Sequence, residues 1–266
     1  VAVFVLKAAL LPLSFWLPQT YAAAPAPIAA LFSIMTKVGI VALLRVHVLI
    51  ITPNFPELTS AWLTPLALAT LTFGALGVLA APSLRSQAAW LVLISAGTLQ
   101  CVPGLATVDG SAAGLYYLAH STFIGAAFFL LAELVAERRG AALCTFTPVT
   151  PGTSRAPAVL GAAFLVLAVA SVGLPPLSGF TGKILLLRST FTTTWSPALT
   201  AAFWCVLLSV SFAAALALAR AGARIFWLGA AIPDNRQGRD ILRPAALILL
   251  IAASPLLVIL AEPVHA

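Results

Sequence analysis

The stretch Val172-Gly-Leu-Pro-Pro-Leu-Ser-Gly-Phe-Thr-Gly-Lys183 interrupts a long apolar segment of this chain. A proline has no backbone N–H, so it frees the carbonyl oxygen four residues earlier in a helix. Pro175 and Pro176 therefore free the carbonyls of Ser171 and Val172. Unwound backbone at membrane depth is tolerated where it lines a polar site. The stretch predicts a broken membrane helix with a lysine beside the break.

A related stretch, Lys7-Ala-Ala-Leu-Leu-Pro-Leu-Ser-Phe15, lies near the start of the chain. Both stretches contain Pro-Leu-Ser followed by Phe, and both have a lysine within about two turns of a proline. Paired interrupted spans in corresponding halves of a chain indicate a transport site, whereas an ordinary proline kink is the alternative. Pro12 would free the carbonyl of Ala8. The candidate broken-helix residues are Pro12, Pro175, Pro176, Ser178 and Gly179.

The composition predicts an all-α polytopic membrane protein. Of 266 residues, 62% are hydrophobic and 8% are charged, whereas a soluble domain carries roughly a quarter charged residues. This excludes a soluble enzyme, a disordered chain and a disulfide scaffold. The net charge of +7 comes without a basic cluster interleaved with aromatic residues, so no nucleic acid partner is expected. Eight apolar segments are predicted to cross the bilayer, at about 1–17, 26–51, 61–81, 86–103, 112–136, 157–192, 198–228 and 242–261.

Arginine is distributed unevenly between the two sides that these spans define. The positive-inside rule places the arginine-rich side in the cytoplasm. Both ends of the chain are then expected on the external face of a cell membrane. Glu133 and Glu137 are expected to pair with Arg138 and Arg139 at the cytoplasmic end of their span. The arginines assigned to the cytoplasmic side are Arg85, Arg138, Arg139, Arg155, Arg220, Arg224, Arg236, Arg239 and Arg243.

All three lysines, Lys7, Lys37 and Lys183, lie inside predicted spans rather than in loops. A charge at mid-membrane costs about 3 kcal/mol on insertion scales. Snorkelling to the interface could explain Lys7, but it fits Lys37 and Lys183 poorly because apolar residues continue on both sides of each. A lysine enclosed by apolar groups can bind and release a proton near neutral pH, which arginine cannot do. We interpret these lysines as proton carriers.

His120 is the other candidate proton carrier, about a third of the way into its span. Histidine titrates near neutrality, although a purely structural histidine bonded to a backbone carbonyl is the alternative. No nucleophile–base pair, phosphate loop, metal-ligand spacing or cofactor motif is present, so neither an enzyme nor a cofactor is predicted. The supporting polar residues are Ser33 and Thr36 near Lys37, and Ser121 and Thr122 next to His120.

These motifs resemble the antiporter-like proton-translocating membrane subunits. The resemblance rests on Lys7-Ala-Ala-Leu-Leu-Pro-Leu-Ser-Phe15, on Thr36-Lys37-Val-Gly-Ile-Val-Ala-Leu-Leu-Arg45 and on Gly173-Leu-Pro-Pro-Leu-Ser-Gly-Phe-Thr-Gly-Lys183. The family includes subunits of respiratory complex I, of membrane-bound hydrogenases and of the Mrp (Pha, Mnh) cation/proton antiporters. The run Gly114-Leu-Tyr-Tyr-Leu-Ala-His120 looks most like the D-type subunit of the Mrp antiporter.

The resemblance implies a fourteen-helix fold with two inverted repeats, of which this chain would be the C-terminal part. Residues 1–52 would end the first repeat, 53–229 would form the second, and 230–266 would contain a cytoplasmic loop and the final span. The implied proton relay runs through Lys7, Lys37, His120 and Lys183. The glutamate partner of Lys7 would lie upstream of Val1. Relatives often have a further lysine one to two turns after the position of His120, where Gly125 and its neighbours are uncharged in this chain. Water and His120 would then have to bridge to Lys183.

Two functions follow from the resemblance. The first is a subunit of a multisubunit antiporter that exchanges Na⁺ or K⁺ for protons together with other membrane subunits. The second is a proton-pumping subunit of NADH-quinone oxidoreductase or a membrane-bound hydrogenase, driven by a distant electron-transfer arm. A membrane scaffold with kinked helices is a third interpretation, against which the three buried lysines argue.

Overall fold

The computed structural model describes residues 2–51, 62–139, 158–227 and 242–259. The all-α prediction is confirmed, and no strand occurs within these ranges. The helices Ala26–Val46 and Pro197–Gly222 continue into π-helix at His47–Ile51 and Ala223–Trp227. The α-helices are α1 Ala2–Lys7, α2 Trp16–Ala23, α3 Ala26–Val46, α4 Thr64–Ala80, α5 Leu84–Gln100, α6 Val102–Leu105, α7 Val108–Arg139, α8 Ala158–Val172, α9 Ser178–Arg188, α10 Pro197–Gly222 and α11 Leu242–Ile259.

Five helical stretches among the described residues are long and apolar enough to cross a membrane. They are Ala26–Ile50, Leu84–Leu105, Val108–Arg138, Pro197–Trp227 and Leu242–Ile259. The apolar helices α4 and α8 are shorter. One boundary differs from the prediction. Pro103 does not end the helical path, because it falls in the first turn of the short helix α6, where a proline displaces no helical hydrogen bond.

Helix α7 lies at the centre of the bundle. It packs against α3, α5, α8, α9 and α11. Its residues Ala127, Phe128, Phe129 and Leu131 are almost completely buried. A helix that is apolar on all sides and covered by five neighbours belongs to the core, so α7 can hold a polar side chain away from both lipid and bulk water.

Ion pairs gather the predicted arginine-rich helix ends at one end of the bundle. Glu133 pairs with Arg85 and Glu137 pairs with Arg243, so the last turns of α7 lie beside the starts of α5 and α11. Both carboxylates thus reach cations on adjacent helices, and their predicted pairing with Arg138 and Arg139 stays a prediction. Arg139 lies outside the described side chains.

At the opposite end of α5 from Arg85, the end of α6 meets the segment that precedes α10. The Trp195 indole N–H donates to the carbonyl of Gly104 (2.5 Å), and the Thr193 hydroxyl donates to the carbonyl of Leu105 (2.8 Å). The segment before α10 therefore packs on the end of α6. This agrees with the predicted sorting of the loops into two groups, while the direction of the bundle in the membrane stays a prediction.

Two breaks in the helices occur at the proline motifs. The chain leaves the helix after Lys7 and resumes it at Trp16, and it leaves again after Val172 and resumes at Ser178. Each break has one residue with positive φ directly after the carbonyl that the proline frees, Ala9 at 55° and Gly173 at 82°. The Leu11–Pro12 and Pro175–Pro176 peptide bonds are cis.

Candidate functional site

Lys183 lies on α9 and turns back onto the carbonyls freed by the break. Its ammonium donates to the carbonyl of Val172 at 2.6 Å and lies 3.5 Å from that of Ser171. It also donates to the Ser211 hydroxyl of α10 at 2.7 Å. Pro176 and Pro175 cannot donate to these two carbonyls, so their lone pairs are free to hold a cation.

Two glycines allow this close geometry. A Cβ on Gly173 would lie 2.8 Å from Lys183 Cδ, and its φ of 82° is a conformation that L-residues rarely adopt. A Cβ on Gly179 would lie 1.8 Å from the Ala170 carbonyl oxygen. The two halves of the broken helix therefore overlap side by side, which places Lys183 of the second half against the end of the first.

Lys37 lies on α3 and is 2% exposed. Its ammonium donates to the hydroxyl of Ser95 on α5. The sequence placed Ser33 and Thr36 near this lysine as supporting groups. The Ser33 hydroxyl instead donates to its own helix at the Ala30 carbonyl, 2.7 Å away, and Thr36 bonds to the Tyr21 hydroxyl.

Lys37 and Lys183 each contact a serine oriented in the same way. Ser95 donates its hydroxyl proton to the Val92 carbonyl (2.8 Å), and Ser211 donates to the Leu207 carbonyl (2.8 Å). Because each hydroxyl proton points at its own helix, the oxygen lone pairs face the ammonium. Among the described residues no carboxylate pairs with Lys37 or Lys183. Within the described ranges, their hydrogen bonds go to neutral oxygens.

His120 lies on the central helix α7 and is 2% exposed. Its Nδ1 lies 2.7 Å from the Ser178 hydroxyl at the start of α9, and its ring is 5.7 Å from that of Tyr117. Its imidazole is thus held beside the break by a hydroxyl group.

A small, partly open cavity of about 30 Å³ is lined by several of these groups. One water needs roughly 10–15 Å³ of such space, so about two waters fit. The cavity extends from the serine that binds Lys37 to the lysine on the broken helix. Of the other predicted residues, Ser121 lines it, while Thr122 donates to the Leu118 carbonyl at 2.7 Å. The polar residues that line it are Ser95, Tyr117, His120, Ser121, Ser171, Lys183 and Ser211.

Lys7 is not brought to this cavity. It is exposed at the edge of the described bundle, and its Cβ lies 3.0 Å from where a Cβ of Gly39 on α3 would be. The Ala8 carbonyl freed by Pro12 accepts a hydrogen bond from the Gln100 amide at 2.5 Å. The first break is therefore held by a neutral amide, and the second by an ammonium.

Sequence reasoning missed Ser95, Ser211, Gln100 and Ser254, which contact the predicted residues directly. Each is a polar side chain within a predicted apolar span, which is a signal that the sequence does carry. The spacing along one helix does not show which of these side chains faces a lysine on another helix. Within the described residues no cluster of His, Cys, Asp or Glu could hold a metal ion.

Residues 1–209 match the protein family described as NADH:quinone oxidoreductase/Mrp antiporter, TM. The chain belongs to this family. The match covers both broken helices, the buried lysines and His120.

Curated relatives at 30–40% identity are antiporter subunits rather than enzymes. The chain is 38% identical over 256 residues to the D-type subunit of a probable K⁺/H⁺ antiporter of Rhizobium meliloti, covering 84% of this chain and 46% of the relative. It is 32% identical over 259 residues to the D-type subunit of a Na⁺/H⁺ antiporter of Bacillus subtilis, covering 94% and 50%. The chain therefore spans about half the length of the curated relatives it matches.

Solved structures share the fold. The Mrp complex from Dietzia sp. superposes with a TM-score of 0.78 at 21% identity, over 98% of this chain and 55% of its own. Respiratory complex I from Thermus thermophilus superposes with a TM-score of 0.77 at 28% identity, over 97% and 53%. The arrangement of helices is thus that of an antiporter-like subunit.

Proposed function

We propose that this chain is part of a subunit of a multisubunit antiporter that exchanges Na⁺ or K⁺ for protons. Its part in this exchange is to conduct protons through a buried relay of lysine, hydroxyl, imidazole and water. The relay consists of Lys37, Ser95, the two-water cavity, His120 and Lys183, with Lys7 leading into it. The names of the curated relatives at up to 38% identity support the antiporter assignment.

The cavity is the observation that carries this proposal. The hydroxyl that binds Lys37 and the side chain of Lys183 line one space, with His120 on its wall. Ser95 binds Lys37 directly, and Ser95, His120 and Lys183 line the same space. Water in this space would complete the row between the side chains.

Electrostatic repulsion between the lysines couples the protonation of one to that of the other. Two ammonium groups in a medium of low dielectric constant repel each other strongly. A proton that arrives on Lys37 therefore favours the release of a proton from Lys183, and the reverse. Serine oxygens and freed carbonyls solvate each charge without fixing it as a carboxylate would.

Several features of the assignment rest on the family rather than on the cavity. We propose that residues 1–52 end the first inverted repeat, 53–229 form the second, and 230–266 contain a loop and the final span. Other membrane subunits and a lipid bilayer of the cell membrane are the expected surroundings. The arginine-rich end would face the cytoplasm, and both ends of the chain would be external.

A redox-driven proton pump is the second candidate function. It is favoured by the superposition on complex I at 28% identity. The two candidates differ in what drives the protons. Everted vesicles that contain the complete complex would exchange cations for an imposed proton gradient if the chain belongs to an antiporter. A proton pump would require an electron donor.

The relay is tested by replacing Lys183 in the full-length protein within its complete complex. We expect Lys183→Ala to abolish cation/proton exchange in everted vesicles while the complex still assembles. Lys183→Arg should fail as well, because arginine keeps the charge but does not release its proton. Normal exchange in either variant would contradict the relay.

Arg188 provides a matched control. It lies five residues after Lys183 on the same helix, it is cationic, and it is exposed. Arg188→Gln should assemble and exchange normally. Equal loss in the Arg188 and Lys183 variants would mean that α9 needs positive charge for assembly rather than for proton transfer, and the relay assignment would fall.

A further inference from the structure

The final helix, α11, contains one buried polar side chain. Only Leu247 and Ser254 are buried on this helix, and Ser254 is 1% exposed. Burying a hydroxyl without a partner costs about 1–3 kcal/mol, so a buried serine on an otherwise apolar surface helix indicates a specific contact. No feature of the proposed relay requires α11.

Ser254 contacts the start of the second half of the broken helix. Its Oγ lies 2.7 Å from the Ser178 Oγ and accepts from the Ser178 backbone N–H at 3.4 Å. The first N–H groups of a helix have no partner within the helix and are usually capped by a side chain of the preceding residue. Leu177 precedes α9 and has no side-chain oxygen. Ser254 therefore caps α9 from another helix.

The same contact leads directly to His120. The Ser178 hydroxyl lies 2.7 Å from His120 Nδ1, which makes a continuous row from Ser254 through Ser178 to the imidazole. Because Ser254 accepts from the Ser178 N–H, its own proton is available for the Ser178 oxygen. Ser178 can then donate to Nδ1, which leaves the proton of the neutral ring on Nε2.

We propose that Ser254 is a positioning residue of the relay, acting on His120 through Ser178. This inference rests on the proposed function, since a fixed imidazole matters only if His120 carries protons. The row holds the ring in one orientation and one tautomer, with the proton on Nε2, which lies beside Gly179. It also makes α11 part of the site rather than a membrane anchor.

Protonation of the ring reverses the direction of the hydrogen bonds between His120, Ser178 and Ser254. A doubly protonated imidazole donates from both nitrogens, so Ser178 must accept from Nδ1 and turn its own proton towards Ser254. The hydroxyl of Ser254 must then donate elsewhere on its own helix. The orientation of two hydroxyls is thus coupled to the charge of His120, and removing Ser254 leaves the ring less firmly oriented in both states.

The experiment compares two variants of equal shape in the full-length protein within its complete complex. Ser254→Thr keeps the hydroxyl, whereas Ser254→Val replaces it by a methyl group of similar size. We expect Ser254→Thr to exchange cations at a normal rate. Ser254→Val should be slower by about threefold to tenfold, the equivalent of one hydrogen bond. Equal rates in the two variants would overturn the proposal.

A double variant separates positioning from general packing. If Ser254 acts through Ser178, then Ser254→Val should cause no further loss in a Ser178→Ala background, because the row is already broken. If the losses of exchange rate from Ser254→Val and Ser178→Ala multiply in the double variant, the proposal is overturned. Ser209, an exposed serine on α10 that bonds to its own helix, is the control, and Ser209→Ala should exchange normally.

His120→Ala in the same assay separates the role of His120 in the relay from the role of Ser254 in positioning it. Normal exchange in His120→Ala would remove His120 from the proposed relay and the role of Ser254 with it. Impaired exchange in His120→Ala together with equal rates in Ser254→Thr and Ser254→Val would overturn only the role of Ser254.

Discussion

The two broken helices use the same backbone for different chemistry. When Pro12 is aligned with Pro176, Ala8 corresponds to Val172 and Ala9 to Gly173. In each break the freed carbonyl is followed by a residue with positive φ, and a nitrogen donor binds the carbonyl within 2.6 Å. The backbone geometry is thus the shared feature of the two halves.

The donors differ in charge and origin. Gln100 of α5 holds the first carbonyl, and Lys183 of the broken helix itself holds the second. An amide cannot lose a proton, whereas an ammonium can. The first break is therefore a neutral structural site, while the second combines the same carbonyl with a group that can titrate.

The serines of the two motifs also differ in their surroundings. Ser14 and Ser178 both follow Pro-Leu and are fully buried. Ser178 bonds to His120 and Ser254, whereas the Ser14 hydroxyl has no hydrogen-bond partner among the described residues. The second break is thus connected to other polar side chains in a way that the first is not. The repeated motif breaks the helix and frees a backbone carbonyl in both halves. The neighbouring side chains determine whether a group that can carry a proton lies beside it.

The largest effect should follow from making the second break resemble the first. Lys183→Gln keeps a neutral donor for the Val172 carbonyl, as Gln100 provides for Ala8, but removes the group that carries a proton. We expect the complex to assemble and its cation/proton exchange in everted vesicles to fall at least a hundredfold.

Assembly and exchange must be measured on the same preparation. If Lys183→Gln exchanges cations at a substantial rate, the hydrogen bond to the Val172 carbonyl is sufficient for exchange. The difference between an amide donor and an ammonium donor then has no functional consequence. Gln100→Glu would be the reciprocal change, but Gln100 is completely buried and an added charge there would confuse folding with function.

A smaller effect is expected from giving the second break the residue of the first. Gly173→Ala places a Cβ 2.8 Å from Lys183 Cδ and puts an L-residue at a φ of 82°. The conformation alone costs about 1–2 kcal/mol. We expect a lower thermal midpoint for the detergent-solubilised protein and slower exchange, because the lysine stem is displaced.

Gly161→Ala is the matched control for this change. Gly161 lies within α8, and the nearest atom to a new Cβ there would be 3.3 Å away. Its thermal midpoint should stay near that of the unsubstituted protein. Equal destabilisation at Gly161 and Gly173 would show that positive φ at the break carries no special requirement.

Much of the fold could be predicted from the sequence. The apolar spans, the proline interruptions and the placement of lysine inside spans are local features, and each is physically costly unless it has a role. The predicted release of the Val172 and Ala8 carbonyls is also local, since a proline always lacks its donor. These features gave the helices, the two breaks and the candidate proton carriers.

The partners of those groups could not be predicted in the same way. Ser95 is 58 residues from Lys37, and Ser254 is 76 residues from Ser178. Which side chain faces another across two helices depends on their rotation and relative height, and neither appears in the spacing along one chain. The hydroxyl that Lys37 binds lies on another helix for this reason, while Ser33 bonds to its own helix. A serine one turn away on the same helix can satisfy itself on its own backbone.

The smallest effect is expected at the first break, where Ala9 holds a φ of 55° without being a glycine. Ala9→Gly relieves about 1–2 kcal/mol of backbone strain, and the greater freedom of glycine in the unfolded chain offsets about 0.5–1 kcal/mol of it. A modest rise in the thermal midpoint should follow, with unchanged exchange. Ala8→Gly, one residue earlier and without positive φ, should lower the midpoint instead. If Ala9→Gly lowers it as well, the two breaks do not share a backbone requirement, and their likeness is confined to the motif.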